Sequence, residues 1–575
     1  MGRRPRPAED GPARGIRIAS AARLPTGPQP GACTPWVGRA RAGRTRRSPR
    51  GRGPVRRVQP PMGSAVGSYG GVGLGEEELR DPWRQHNPTG EWAWPSLSRY
   101  PLDMDRRLAP LVSILAGLSL LAYLVVIPGR LTFPFALEWQ EGGMLAHVLR
   151  IGSEAPLYAA PNLEFSAFPY PPVFYWAASC VSLVTGVNFI ALRLVSVIAS
   201  LAILWMLACG ARREGGSWLP GLVAAGLFAA AFSWSGAWMD VGRVDSLALA
   251  LTLGSLLMVQ RGGGTRDAVA AGVLAGLAVL TKQTALLPAG ALALTLCLQG
   301  WRRWKAFALG LLVVGGGGLV GLHVSSQGWS SWYLFELLGS HPWHSPKILG
   351  FWTEDMIWFA PLVLALLWAR RSSVQDGGAS LAWCAGLLAS AWIGRAHIGG
   401  FDNTLMPAAL ALAYLGGQMV GMVREKGGPG VAWVLGAVGL QFALLLEDPR
   451  KHLPQPGAAA QMEAVVQALE AVDGPIFAPY QPHLAARAGA GWSTHAMTFF
   501  DVSAADLGKV GEDLFVELRA ALKEGRYSGV LLGEDDYFGG LLGLQYRRAT
   551  ADEFPTAIPL TLTGSEFGPR LLYLR

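Results

Sequence analysis

The stretch "MDRRLAPLVSILAGLSLLAYLVVIPG" at residues 104–129 decides the fold. A short basic flank opens onto an apolar run with no small-residue cleavage site, the pattern of an uncleaved first membrane span. Crossing the hydrocarbon core takes about 20 apolar residues. Comparable runs begin near residues 109, 171, 189, 219, 244, 267, 284, 305, 355, 379, 404 and 430. Some are short and adjacent, so the expectation is ten to thirteen spans, with no internal repeat. Composition agrees: the 575 residues are 51% hydrophobic and 15% charged, against about 25% charged in soluble domains. Of 22 Trp, many stand where apolar runs end, among them Trp139, Trp176, Trp218, Trp238, Trp329 and Trp352, which fits an interfacial belt.

The net charge of +9 arises from one end, because fifteen Arg and no Lys fall within residues 1–57. Residues 1–103 read as a disordered, Arg/Pro/Gly-rich extension rather than a nucleic-acid or lipid-binding arm. Met104 resembles a natural membrane-protein start, so this extension need not be translated. Cys33, Cys180, Cys209, Cys297 and Cys384 show no paired spacing, so neither a disulfide framework nor a zinc site is implied. "ARR" (211–213), "WRRWK" (301–305), "WARR" (368–371) and "REK" (424–426) mark cytoplasmic loops, and Met104–Arg107 inside puts the loop 128–170 outside. The parity of the middle spans does not close on this rule.

After about 453, "AAQMEAVVQALEAV" and "EDLFVELRAALKEG" read as amphipathic helices, and "GPIFAPY", "YSGVLLGED" and "RLLYLR" as strands. The expected fold is therefore mainly α: a polytopic α-helical membrane protein over 104–452 and a small extracytoplasmic α/β soluble domain over 453–575.

Chemistry concentrates beside the first span. "FALEWQEGGMLAHVLRIGSEAPLY" (135–158) places Glu138 and Glu141 three apart, on one face of a short helix expected over 138–151. Such a helix would bury Phe135, Leu145 and Val148 in lipid and aim its carboxylates at a cavity; the plainer reading is a solvated connecting loop. "MDVGRVDS" sets Asp240, Arg243 and Asp245 between apolar runs, and Lys282 sits in the apolar "GLAVLTKQTALLP". Ionisable groups at membrane depth call for a partner. An Asp245–Lys282 pair would fix helix packing or shape the phosphate end of a pocket. "ELLGSHPWHSPKILGFWTEDMIW" (336–358) carries His341, His344 and Lys347, and "GRAHIGGFDN" carries Arg395, His397, Asp402 and Asn403. The Gly pair there permits irregular backbone that lines a cavity. "VVGGGGLVG" (313–321) lacks GK[ST] and reads as close helix packing, not a nucleotide loop.

The order of loop acids, "PYPPVFYW", "VGRVDSLALALTLGSLL", "GVLAGLAVLTKQTALLP" and "GGFDNTLMPAALALAYL" resembles the type C membrane glycosyltransferases over roughly 109–420. That family includes protein O-mannosyltransferases, aminoarabinose transferases of lipid A and bacterial relatives. The resemblance implies transfer of a sugar from a polyprenyl-phosphate carrier to a lipid, glycan or protein acceptor outside the cytoplasmic (inner) membrane. It implies a multi-pass membrane protein among lipids, with no nucleic acid. A carboxylate of the first outer loop would be base or acceptor organiser. The family's Asp-Glu reads Leu137–Glu138 here, so Glu138 takes the role or shares it with Glu141. Arg243, Asp245, Lys282, His344, Lys347 and Arg395 would handle the carrier phosphate, Lys347 ahead of His344. The expectation is no cofactor; a divalent metal held by His341, His344 and Glu138 is the less favoured case. A secondary transporter or flippase, and a non-catalytic envelope assembly subunit, are the competing readings. Charges clustered at span ends, without repeats, argue against a transporter.

Overall fold

A computed structural model describes residues 103–153, 155–210, 217–371, 378–505, 507–533 and 538–575. The extension expected over 1–103 lies, up to residue 102, outside the described residues.

Helices stand at every apolar run of the sequence: α1 Asp103–Leu131, α3 Val173–Thr185, α4 Phe189–Gly210, α5 Leu219–Trp234, α6 Asp245–Arg261, α7 Thr265–Val279, α8 Leu286–Gln299, α9 Trp301–Ser325, α10 Ser345–Arg370, α11 Gly378–Ala396, α12 Met406–Lys426 and α13 Gly430–Leu445. Between α1 and α3, helix α2 covers Glu141–Ile151. By length and composition, five segments among the described residues are apolar enough to cross a membrane on their own: α1 from Arg107, α4, α9, α10, and α12 extended back to Asp402. α3, α5, α8 with its preceding turn, and α13 are shorter apolar helices. Large apolar side chains such as Leu121, Leu183, Trp205, Leu298 and Leu312 face outward, as lipid-facing residues do.

The run near 171 does not cross. Val173, at the start of α3, donates its N–H to the Leu280 carbonyl at 3.1 Å, and Phe189, four residues past its end, packs edge-on against His483 of the C-terminal region at 5.1 Å. Both ends of α3 therefore lie on one face. Among the described residues the remaining helices, α1 and α4–α13, number eleven, and they alternate without conflict. Arg107, Arg261, Arg266, Arg302, Arg303, Lys305, Arg370, Arg371, Arg424 and Lys426 all fall at the face opposite the C-terminal region. The broken parity came from counting α3 as a span.

Small residues let the helices meet backbone to backbone. α7 and α9 run parallel, and a Cβ on Gly276 would stand 2.7 Å from the Gly315 amide nitrogen, while one on Gly272 would collide with the Phe307 carbonyl. "VVGGGGLVG" thus serves packing. Gly276→Val forces this contact apart and lowers stability by about 1–3 kcal/mol; thermal unfolding of the purified protein in detergent measures it, and an unchanged transition would refute the close approach.

The C-terminal region builds a four-stranded sheet in the order β1-β2-β4-β3, with β1 Ile476–Phe477, β2 Gly529–Leu532, β3 Arg547–Arg548 and β4 Leu571–Leu574. β1 pairs parallel with β2, and the other pairs are antiparallel. Helices α14 Ala458–Glu470 and α17 Lys509–Glu524 fall where amphipathic periodicity placed them, and three strands match as well. α15 Pro482–Arg487, α16 Ala496–Ala504 and β3 have no such signal. The region is not an appendage: Trp139, Tyr158, Leu163 and Phe165 of the first outer loop share one core with Phe477, Phe499, Leu518 and Phe538.

Candidate active site

Three buried guanidinium–carboxylate pairs organise the end of α1 and the loop after it. Arg130, fully buried, gives two hydrogen bonds to Asp240 (2.7 and 2.9 Å) and one each to the carbonyls of Ala237 and His452 and to the Thr563 hydroxyl. Ala237 sits at φ 61° in the left-handed region, which costs a non-glycine residue roughly 1–2 kcal/mol. Its carbonyl is held by both Arg130 and Thr563, so the strain is imposed by surrounding contacts.

Helix α2 begins at Glu141, not at 138, so the two acids do not share a helical face. Glu138 precedes the helix and forms a parallel bridge with Thr563. Phe135, Leu145 and Val148, expected in lipid, are buried in protein, Phe135 against the C-terminal region. The acids part chemically too. Glu141 lies at the helix N-terminus, where the dipole favours negative charge. It accepts from Arg193 Nε and Nη2 (2.9 and 2.7 Å) and from the amides of Leu137, Glu138 and Gly242. Burial alone would raise its pKa, but Arg193 and these amides together hold it below the ordinary carboxylate value. Its lone pairs are committed.

Glu138 is equally buried but half used. Its Oε2 accepts from Arg243 Nη1 (3.0 Å) and the Gln140 amide (3.1 Å), and among the described residues Oε1 has no hydrogen-bond partner. Burial pushes its carboxyl up to about 7, with Arg243 opposing only part of the rise. Arg243 also donates to the Tyr170 hydroxyl (2.9 Å) and lies over the Trp238 and Tyr170 rings at 5.1 and 5.4 Å. Trp139 and Trp238, read from sequence as belt residues, are both buried here.

The expected Asp245–Lys282 pair is present, with Nζ 2.5 Å from Oδ1 and Asn403 donating to the same oxygen at 3.1 Å. Lys282 is partly exposed and lines a recess with Thr252, Thr284, Pro288 and Met406. Arg395 binds Asp355 through two contacts (3.0 and 3.1 Å) and Asp402 at 2.9 Å. Asp402 abuts Gly236, where a Cβ would stand 2.9 Å from the Asp402 Cβ and 2.8 Å from Trp238 Nε1. Arg243 lies over Trp238, Trp238 and Asp402 both flank Gly236, and Asp402 pairs with Arg395. Lys347 and His344 stand apart. Lys347 pairs with Glu354 at the surface (2.8 Å), and His344 is exposed, its amide on the Ala396 carbonyl. His341 faces Asp501 at 3.4 Å rather than Glu138. Among the described residues no group of three His, Cys, Asp or Glu is placed to hold a metal.

Arg130, Arg193, Tyr170, His495 and Thr563 carry roles that sequence reading missed. Arg193 had a signal, a lone cation inside the apolar "FIALRLVSV"; His495 and Thr563 had none.

The fold is similar to that of solved ArnT structures. ArnT from Cupriavidus metallidurans in the apo state aligns over 80% of this chain and 97% of its own, at 15% identity and TM-score 0.50. The same protein bound to undecaprenyl phosphate gives 14% identity, the same coverage and TM-score 0.50. The Archaeoglobus fulgidus oligosaccharyltransferase, tethered to an acceptor peptide, aligns at TM-score 0.47 and 12% identity over 76% of this chain and 70% of its own. Residues 170–326 match the family model described as dolichyl-phosphate-mannose-protein mannosyltransferase. No curated protein matches the chain by sequence.

Proposed function

We propose that this protein is an integral-membrane glycosyltransferase that moves a sugar from a polyprenyl-phosphate carrier to an extracytoplasmic acceptor, with Glu138 as the general base. The observation that carries this is the free Oε1 of a buried carboxylate whose other oxygen is fixed by Arg243. A hydroxyl ionises far above pH 7, so its attack on the anomeric carbon gains from a positioned base, best matched when that base titrates near working pH. Oε1 takes the hydroxyl proton as the new glycosidic bond forms. The anomeric C–O bond breaks and its electron pair leaves with the lipid phosphate. That group needs cations more than a proton; Arg243, bonded to Glu138, is the first of them, with Lys282 and Arg395 as further candidates and Lys347 and His344 reserved for an approaching carrier. The saturated Glu141 shapes the loop.

The sidedness follows the charge. The Arg/Lys-rich face is cytoplasmic and the site face extracytoplasmic by the positive-inside bias, which fits a bacterial inner membrane. The ArnT relative is described as binding undecaprenyl phosphate, which supports a carrier of that chemical class. No resident cofactor is called for. Purified protein given a panel of radiolabelled polyprenyl-phosphate hexoses and pentoses, a membrane extract as acceptor and EDTA should release polyprenyl phosphate from at least one donor. No release with or without divalent metal would overturn the reading.

A further inference from the structure

We propose that the C-terminal region is part of the catalytic apparatus, with His495 and Thr563 acting as positioning residues that hold the peptide on either side of Glu138. This rests on the reading of Glu138 as the base.

The peptide is gripped from both flanks. On one side the amides of Leu562 and Thr563 both donate to the Leu137 carbonyl, at 2.9 and 3.0 Å. On the other, His495 Nε2 donates to the Trp139 carbonyl at 3.0 Å. The His495 tautomer is set by its second nitrogen: Nδ1 accepts the Met497 amide at 3.1 Å, so the proton sits on Nε2. Burial lowers the pKa of this ring to about 4, which keeps it a neutral donor at working pH. The Thr563 hydroxyl accepts from Arg130 and donates to the Ala237 carbonyl (3.0 and 3.3 Å), tying the grip to the Arg130–Asp240 pair.

Aromatic packing seals the joint. Trp139 stacks on Phe567 at 4.6 Å and 19°, and Phe567 stacks on Tyr480 at 5.3 Å and 21°. The carbonyls that this region bonds are those of Leu137 and Trp139, the two neighbours of Glu138, whose Oε1 has no hydrogen-bond partner among the described residues. Backbone fixation is how a base is kept in reach of its proton, since a misplacement of about 1 Å can cost a hundredfold in rate.

The same contacts exclude water from Glu138. Arg243 faces it from the loop before α6 and Glu141 from α2; Arg193 of α4 stands behind Glu141, Tyr170 behind Arg243, and His495 beyond Trp139. Burial dominates the rise of its pKa, so loosening the grip lets water in and moves that pKa down.

The test uses the full chain in detergent. Dicyclohexylcarbodiimide modifies protonated buried carboxyls, and peptide mass spectrometry reads labelling of Glu138 against pH, with no acceptor needed. In His495→Ala, which removes the donor to the Trp139 carbonyl, and in Thr563→Val, which keeps the amide but cuts its hydroxyl anchor to Arg130 and Ala237, the pH of half-labelling should fall from about 7 toward the usual carboxylate range. kcat for sugar release should fall by roughly tenfold or more with KM unchanged, and His495→Gln, which keeps a donor, should restore both. Unchanged labelling profiles in His495→Ala and Thr563→Val overturn the proposal, whatever the rates do. If they stay unchanged while Glu138→Gln is inactive, the base reading survives alone. If Glu138→Gln transfers normally, both fall.

Discussion

Glu138→Gln is expected to cut sugar transfer by orders of magnitude and leave the protein folded in the membrane. The amide is nearly isosteric, and its carbonyl oxygen can still accept from Arg243 Nη1 and the Gln140 N–H, the two donors that now hold Oε2. What disappears is basicity at the free position. Loss of a positioned base typically costs 10²- to 10⁴-fold, so the rate should drop by about that factor without a matching rise in KM. Neutralisation strands Arg243, which is 2% exposed, so the variant should also be less stable by about 1–3 kcal/mol. The wild-type profile supplies a second check. Only the ionised carboxylate accepts a proton, and burial holds its pKa near 7, so activity should climb as pH rises through about 7. An acidic limb near 4.5, or full activity in the Gln variant, would remove Glu138 from the chemistry.

Arg193→Met is expected to be the most damaging change to the fold. This side chain is fully buried and donates to both oxygens of Glu141 and to the carbonyls of Arg130, Phe133 and Phe135. It is the post around which the chain leaving α1 turns back into α2. Methionine fills similar volume but leaves a carboxylate without its cation and three carbonyls without donors. Breaking a buried ion pair from one side costs about 3–5 kcal/mol, a large share of the 5–15 kcal/mol that holds an ordinary domain together. Thermal unfolding in detergent should show a strongly lowered transition. Arg193→Met with Glu141→Met removes both charges and should recover part of the loss. A single variant that melts like the wild type would show that the pair does not organise the loop.

The division of labour between Glu138 and Glu141 marks the limit of what spacing conveys. Three residues apart, they looked like equals on a helix. The helix begins at Glu141 because that carboxylate is committed to Arg193 and to backbone amides, and Glu138 is drawn into a bridge with Thr563 instead. The Asp245–Lys282 pair was legible, since two opposite charges in neighbouring apolar runs have few other partners. Lys347 and His344 were chosen for their loop, and their own contacts are with Glu354 and the Ala396 backbone.

By itself the sequence determined the membrane class, the position of every apolar helix, most of the C-terminal elements and the first outer loop as the place where chemistry belongs. These are written in local periodicity and in the cost of charge near lipid, both properties of short windows of chain. Only the tertiary structure decided that α3 stays on one face, that one acid is saturated while the other is free, and that residues near 495 and 563 clasp residue 138. Those outcomes depend on which distant groups satisfy each buried charge and carbonyl, and no window of the chain contains both partners.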